Sequence, residues 1–248
     1  MKYKVVIDPG HGGKDNGAVK YLVEDTANLQ QALACRDFLQ LYDCFELWLS
    51  RTADTETDLN KTCNKCNSWG ADIALSFHNN AGGGDGFEVW HAVGSSNGIK
   101  LGRCIEKHVK AMGQQSRGLK TRKNAKGLDY FGFNRIPRCP SVILEGCFVD
   151  NKKDAAGFDT EAENRAYGYA VAKGVLDYFG VKKGTVYMLT CDMNHRAARS
   201  LNSDVLGVVK AGTLVTGTLL LDGWLKCEIK GKTGYIRVKG KKDYGKKL

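Results

Sequence analysis

The sequence predicts an α/β protein, with a twisted, mostly parallel or mixed sheet flanked by helices, followed by a small all-β barrel. Three observations predict it. Over residues 1–180, short apolar runs alternate with segments of helical period, the pattern of strands and helices sharing one sheet. Three of those runs close on a polar, metal-capable residue: His11, His78 and Glu145. From Gly184 onward the helical period is gone, and short β-rich runs punctuated by Gly212, Gly217 and Asp222-Gly223 replace it. The boundary is expected at Val181-Lys182-Lys183-Gly184, giving domains 1–180 and 184–248.

Each element follows from its local pattern. Val5-Val6-Ile7 is too short an apolar run for a helix, and Pro9-Gly10 with Gly12-Gly13 ends it in a sharp turn that carries His11. Leu29, Ala32, Leu33, Phe38 and Leu39 then share a helical face, with Glu24 and Asp25 at the helix start where the dipole favours carboxylates. Residues 44–49 read as a strand ending near Arg51, and residues 57–69 as a helix. Residues 72–78 form a second buried strand closing on His78. Residues 86–92 read as a strand and 97–113 as a helix. The basic stretch 114–138, with Gly118, Lys120, Arg122, Lys123 and Lys126, reads as a solvated loop. Residues 140–145 form a strand that Glu145 closes and Gly146 breaks. Residues 161–179 form a helix whose buried face holds Tyr167, Ala170, Val171, Gly174, Val175 and Tyr178.

The formal charge of +10 is unevenly placed. Residues 1–180 hold 23 Lys and Arg against 22 Asp and Glu, a net of +1. Residues 181–248 hold 14 against 5, a net of +9. A small basic segment of this kind implies an anionic partner. No nucleic-acid reading motif accompanies it, so no nucleic-acid partner is expected. Nine cysteines without framework spacing fit a reducing compartment better than a disulfide scaffold. Met1-Lys2-Tyr3-Lys4 leads straight into a strand, so no signal peptide is expected, and no run reaches membrane-spanning length. Nothing in the sequence sets the oligomeric state.

If the strands ending at His11, His78 and Glu145 are adjacent and parallel, these residues meet Glu24 at one sheet edge, where ligands bind in open α/β sheets. Two histidines and a carboxylate are a ligand set for catalytic zinc, and a further carboxylate beside it can take a proton from water. An ordinary turn histidine is the alternative at His11. Arg51 is expected in a structural ion pair, His91 at a strand-end surface, and His108 in solvent, while His195 belongs to the second domain. Cys63 and Cys66 form a lone CxxC on a helix, read as buried thiols rather than a redox pair or half a metal site.

Residues 5–18 (VVIDPGHGGKDNGA), Glu24-Asp25, residues 76–81 (SFHNNA) and residues 140–151 (PSVILEGCFVDN) resemble the zinc-dependent N-acetylmuramoyl-L-alanine amidases of the amidase-3 type, in the correct order over residues 1–180. The resemblance implies that His11, Glu24 and His78 bind Zn2+ and that Glu145 is the catalytic glutamate. It implies cleavage of the amide between the lactyl group of N-acetylmuramic acid and L-alanine in bacterial peptidoglycan. Asn80 is expected to line the site. The segment Glu145-Gly146-Cys147-Phe148 departs from the family's more usual apolar-Gly-Phe order, which bears on packing rather than on the carboxylate.

Residues 193–196 (MNHR), 203–212 (SDVLGVVKAG), 223–227 (GWLKC) and 231–236 (GKTGYI) resemble a bacterial SH3-type cell-wall-binding domain, although two of the four residues differ at its first motif. Trp224, Tyr235 and Tyr187 are then either sugar- or peptide-stacking residues or core, and the +9 charge suits an anionic wall polymer. The expectation is a peptidoglycan hydrolase of the phage endolysin kind, held in the host bacterial cytoplasm until released to the wall. The alternatives are a bacterial autolysin or sporulation amidase, or a non-catalytic wall-binding or nucleic-acid-binding protein.

Overall fold

A computed structural model describes residues 2–182, 184–240 and 242–248, so Lys183 of the expected boundary lies outside the described residues. The chain divides into two compact units, one running to Val181 and one from Lys182 to Leu248. In the first unit the order is β1 (Tyr3–Pro9), α1 (Glu24–Leu39), β2 (Phe45–Leu49), α2 (Leu59–Trp69), β3 (Ile73–Asn80), β4 (Phe87–His91), α3 (Ser96–Ala111), β5 (Ser116–Lys120), α4 (Gly132–Arg135), β6 (Ser141–Phe148), α5 (Lys152–Ala155) and α6 (Glu161–Phe179). The sheet order is β2-β1-β3-β6-β4-β5. Only the β4–β6 pair is antiparallel, so the sheet is mixed.

β1, β3 and β6 lie in the middle of the sheet with helices on both faces. A strand covered on both sides must be apolar at consecutive positions, which is why Val5, Val6 and Ile7 are all fully buried. On one face α6 packs against α1 and α3. On the other, α2 and α4 cover a cluster formed by Val6, Cys63, Cys66, Ala74, Phe133 and Ile143. The helix ends follow from local chemistry. Thr160 and Glu163 cap α6 reciprocally, and Gly180 ends it in the left-handed conformation. Asp58 caps α2 and Gly70 ends it likewise.

Three readings are corrected. The basic section after residue 113 contains β5, whose two cations and central glycine hide it from a pattern search, and which pairs with β4 through an irregular register. β6 does not stop at Glu145 but runs on to Phe148. Gly146 is there because a Cβ would lie 2.7 Å from Asn79 Oδ1, a close approach rather than a break. The buried face of α1 is also partly polar: Asn28, Gln31 and Cys35 point inward while Leu29 and Leu33 are half-buried.

In the second unit, β7 (Thr185–Leu189), β8 (Met193–Arg196), β9 (Val205–Val209), β10 (Leu214–Leu219), β11 (Trp224–Ile229), β12 (Lys232–Arg237) and β13 (Gly245–Lys247) form one antiparallel sheet in the order β13-β7-β10-β11-β12-β8-β9. Its core holds Tyr187, Leu189, Val215, Leu225, Ile236 and Val238. Tyr187 is therefore a core residue. The short strands β8 and β13 have too little apolar character to be read from sequence. No helix among the described residues is long and apolar enough to cross a membrane.

Candidate metal centre

β1 and β3 run parallel with Pro9 opposite Phe77, and β3 and β6 run parallel with His78 opposite Glu145. Their carboxyl ends are thus level, and the turn after β1 falls beside the end of β3. His11 takes a left-handed φ of 62°, a strained value for a residue with a side chain. That turn brings its ring to 5.0 Å from the His78 ring, nearly perpendicular to it.

Glu24, in the first turn of α1, joins them. Its Oε1 lies 3.2 Å from His11 Nε2 and 3.0 Å from His78 Nδ1. One ligand-capable atom from each of His11, Glu24 and His78 lies within 4.8 Å of the others. The surrounding groups hold this geometry. Glu24 also accepts from the backbone N–H groups of Ala18 and Asn79. Asp15 Oδ2 lies 2.8 Å from His11 Nδ1, leaving Nε2 turned toward Glu24. Asn28 donates to Gly10 O, and Asn79 donates to Asn28. An orienting carboxylate behind one imidazole and a packed amide layer behind the carboxylate are how metal ligands are usually supported.

The electrostatics favour a cation here. Burial alone would raise the Glu24 carboxyl, but hydrogen bonds to His11 and His78 outweigh it and hold Glu24 well below the usual carboxylate range. The hydrogen bond to Glu24 is the main cause that lifts His11 to about 9, against the opposing cost of its burial. Burial works against charge on His78 too, and Glu24 and Glu145 overcome it. A positive charge is thus wanted between the two rings and the carboxylate, and two imidazole nitrogens with a carboxylate oxygen suit a zinc ion. Glu145 behaves oppositely. Burial pushes its carboxyl up to about 7, with His78 opposing and Glu24 and Glu88 reinforcing the rise. A cavity of about 530 Å³ adjoins the cluster, lined by His11, His78, Asp8, Ser76, Phe131 and Ile143 among others.

His11, Glu24 and His78 are therefore together, with Glu145 opposite His78. Asn80 lies at the end of β3, where it donates to Glu88 at 3.3 Å. Trp224 and Tyr235 lie in the second unit. There Trp224 is 5% exposed at a cavity of about 280 Å³, and Tyr235 is half-buried. Arg51 makes no ion pair among the described residues; it is buried and donates to the carbonyls of Pro9, Gly10, Ala53 and Asp25. His91 is buried rather than on the surface, because its position in β4 faces the helix layer. His108 is not free in solvent but lies 2.6 Å from Asp177. Among the described residues no disulfide joins any two of the nine cysteines, and Cys63 and Cys66 are buried.

Sequence reasoning missed Asp15, Asn28, Asn79 and Glu88. Asp15 stands four residues from His11, and Glu88 is a lone acid inside an apolar strand; both were visible signals. Asn28 and Asn79 become meaningful only once α1 is laid against β3.

The fold and site define an α/β protein with a His-Glu-His cluster at the carboxyl edge of its sheet, beside a buried carboxylate. Residues 5–177 match the N-acetylmuramoyl-L-alanine amidase family, and the chain belongs to that family. It is 37% identical over 184 residues to the N-acetylmuramoyl-L-alanine amidase CwlM of Bacillus licheniformis, covering 73% of this chain and 70% of the relative. It is 30% identical over 192 residues to the endolysin of Bacillus phage SPP1, covering 74% and 68%. Among solved structures it resembles the catalytic domain of CwlV, an N-acetylmuramoyl-L-alanine amidase of Bacillus (Paenibacillus) polymyxa, with a TM-score of 0.65, 29% identity, and coverage of 73% of this chain and 100% of that one.

Proposed function

We propose that the first unit is a zinc-dependent peptidoglycan amidase that cleaves the bond between the lactyl group of N-acetylmuramic acid and L-alanine. The single observation that carries the reading is the convergence of His11, Glu24 and His78 at one point, with Glu145 in register beside them. His11, Glu24 and His78 would hold the metal. When bound, zinc supplies Lewis acidity and lowers the pKa of water. Glu145 takes the proton from the attacking water and returns it to the departing amine; its burial raises its proton affinity, which favours holding that proton between the two transfers. Asp15 holds the His11 ring, and Asn80 donates to Glu88, the residue opposite Glu145 on β4.

The second unit is proposed to hold the enzyme on the wall as an SH3-type binding module. Core residues Leu225 and Ile236 alternate with Trp224, Lys226, Tyr235 and Arg237, which places the latter four on the opposite face of β11 and β12. Arg196 of β8 stands opposite Tyr235 on that same face. Among the described residues Arg196 and Arg237 donate to the carbonyls of Ser203 and Lys239 alone, so both guanidiniums keep donors for an anionic wall polymer. An endolysin role, with the protein held in the host cytoplasm before release to the wall, is supported by the phage relative and by nine cysteines that form no disulfide among the described residues, as suits a reducing compartment. The Bacillus licheniformis relative favours a second reading, a bacterial wall amidase with the same chemistry.

The test is digestion of purified bacterial walls by the zinc-loaded full chain. New amino-terminal alanine is expected, and the Glu145→Gln protein should release almost none. Wall lysis without new amino-terminal alanine would show cleavage of a different bond.

A further inference from the structure

Glu88 of β4 stands directly opposite Glu145 of β6, and Glu145 stands opposite His78 of β3. Directly opposed residues present their side chains to the same face of a sheet. His78, Glu145 and Glu88 therefore form one row across three adjacent strands, on the face that carries the metal cluster. β5 continues it. Lys120 Nζ lies 2.5 Å and Arg117 Nε 2.6 Å from the same oxygen, Glu88 Oε1. The Glu88 side chain is 3% exposed, while Lys120 is 29% and Arg117 40% exposed. The two cations thus sit at the surface above a buried carboxylate.

This cluster holds more positive charge than its own stability requires. One carboxylate is shared by two cations, which leaves a surplus of +1. The second oxygen of Glu88 is taken by Asn80 Nδ2. The Nη groups of Arg117 have no acceptor among the described residues. Both heads are also fixed from beneath, Arg117 at 5.2 Å from the Phe148 ring and Lys120 at 5.6 Å from the Trp90 ring. Cations pinned on aromatic faces, with donors to spare, are prepared for an anion.

We propose that Arg117 and Lys120, positioned by Glu88, form a subsite for a carboxylate on the stem-peptide residue that follows L-alanine. This rests on the amidase reading. Neighbouring strands are about 4.8 Å apart, so Glu88 lies one strand step beyond Glu145. Two residues of extended peptide span about 7 Å, which brings the second stem residue from a scissile amide at Glu145 to the cations above Glu88. Without those cations, a carboxylate there would meet Glu24, Glu88 and Glu145 and be repelled.

The experiment compares two soluble muramoyl peptides with the zinc-loaded full chain. One carries a free α-carboxylate on the residue after L-alanine; in the other that group is a carboxamide. The wild-type protein is expected to favour the carboxylate by about ten- to a hundredfold in kcat/KM, mainly through KM, the range for charge-assisted hydrogen bonds. In the Arg117→Gln, Lys120→Gln double variant the ratio between the two substrates should fall to near one. Arg117→Lys, which keeps the charge, should retain most of the preference. A wild-type ratio near one overturns the subsite, and so does a double variant that keeps the wild-type ratio. Cleavage of neither peptide by the wild type overturns the amidase reading and the subsite with it, an outcome distinct from equal cleavage of both.

Discussion

The tightest constraint in the site is the contact between Gly10 and His78, and Gly10→Ala tests it. A Cβ at residue 10 would lie 2.2 Å from His78 Cε1 and 2.3 Å from its Nε2. Against a comfortable carbon separation of about 3.5 Å, something must move by about 1.3 Å. The backbone of residue 10 cannot retreat, because its N–H donates to Phe77 O and its carbonyl accepts from Arg51 and Asn28. The His78 ring must therefore leave its place beside Glu24. Metal sites tolerate errors of only about 0.2 Å in ligand distance, so zinc affinity should fall by at least about a hundredfold. Activity should fall by a similar factor, since a misplacement of about 1 Å costs that much. The overpacking penalty is about 1–3 kcal/mol, so the protein still folds. Zinc affinity is read by chelator competition, folding by urea denaturation, and Gly207→Ala serves as control because its Cβ meets open space. A Gly10→Ala protein with wild-type zinc affinity would refute the packing argument.

Further outcomes follow from the same geometry. Glu145→Gln should lower the rate of amide cleavage by about 10²–10⁴ while bound zinc, measured by mass spectrometry, stays the same. Asp15→Ala frees the His11 ring and should weaken zinc binding about 10–100-fold in a competition titration, without loss of fold. Asp154→Ala strands the N–H groups of Gly86 and Phe148 and leaves the Gln114 amide with Gly146 O as its remaining acceptor, and should cost about 3 kcal/mol in urea denaturation. Glu88 carries a pH dependence of stability. Burial raises its carboxyl, but Lys120 and Arg117 outweigh burial and hold it below its ordinary value. Its stabilisation is full above the unfolded pKa and is lost as pH falls through the folded one, so Glu88→Gln should flatten the loss of stability on the acid side.

Much of this organisation could be read from the residues. The run Val5-Val6-Ile7 ending in Asp8-Pro9-Gly10-His11 signals a buried strand feeding a tight turn, because no other arrangement uses so short an apolar run beside so many turn formers. α6 is equally legible, since Thr160 and Glu163 mark its start by spacing alone and Gly180 its end. β5 escaped for the opposite reason: Ser116-Arg117-Gly118-Leu119-Lys120 has no apolar alternation, and it is a strand because β4 offers an open edge. Arg51 looked like half of an ion pair. Its partners are backbone carbonyls, and carbonyls carry no sequence signature. Glu24 begins a helix and His11 sits in the turn just past β1, places where local pattern is clearest, while His78 and Glu145 lie two and three residues before the ends of their strands. The groups that support them, Asn28 and Asn79, come from segments 51 residues apart and meet only in the fold.

The central claim is that a metal held by His11, Glu24 and His78 drives cleavage of the amide at L-alanine. The most direct measurement follows new amino-terminal alanine released from purified walls by the full chain, first stripped of metal by a chelator and then titrated with zinc. The account predicts no release from the stripped protein and recovery that saturates at one zinc per chain. Undiminished release after stripping, or full recovery in a His78→Ala protein, would contradict it.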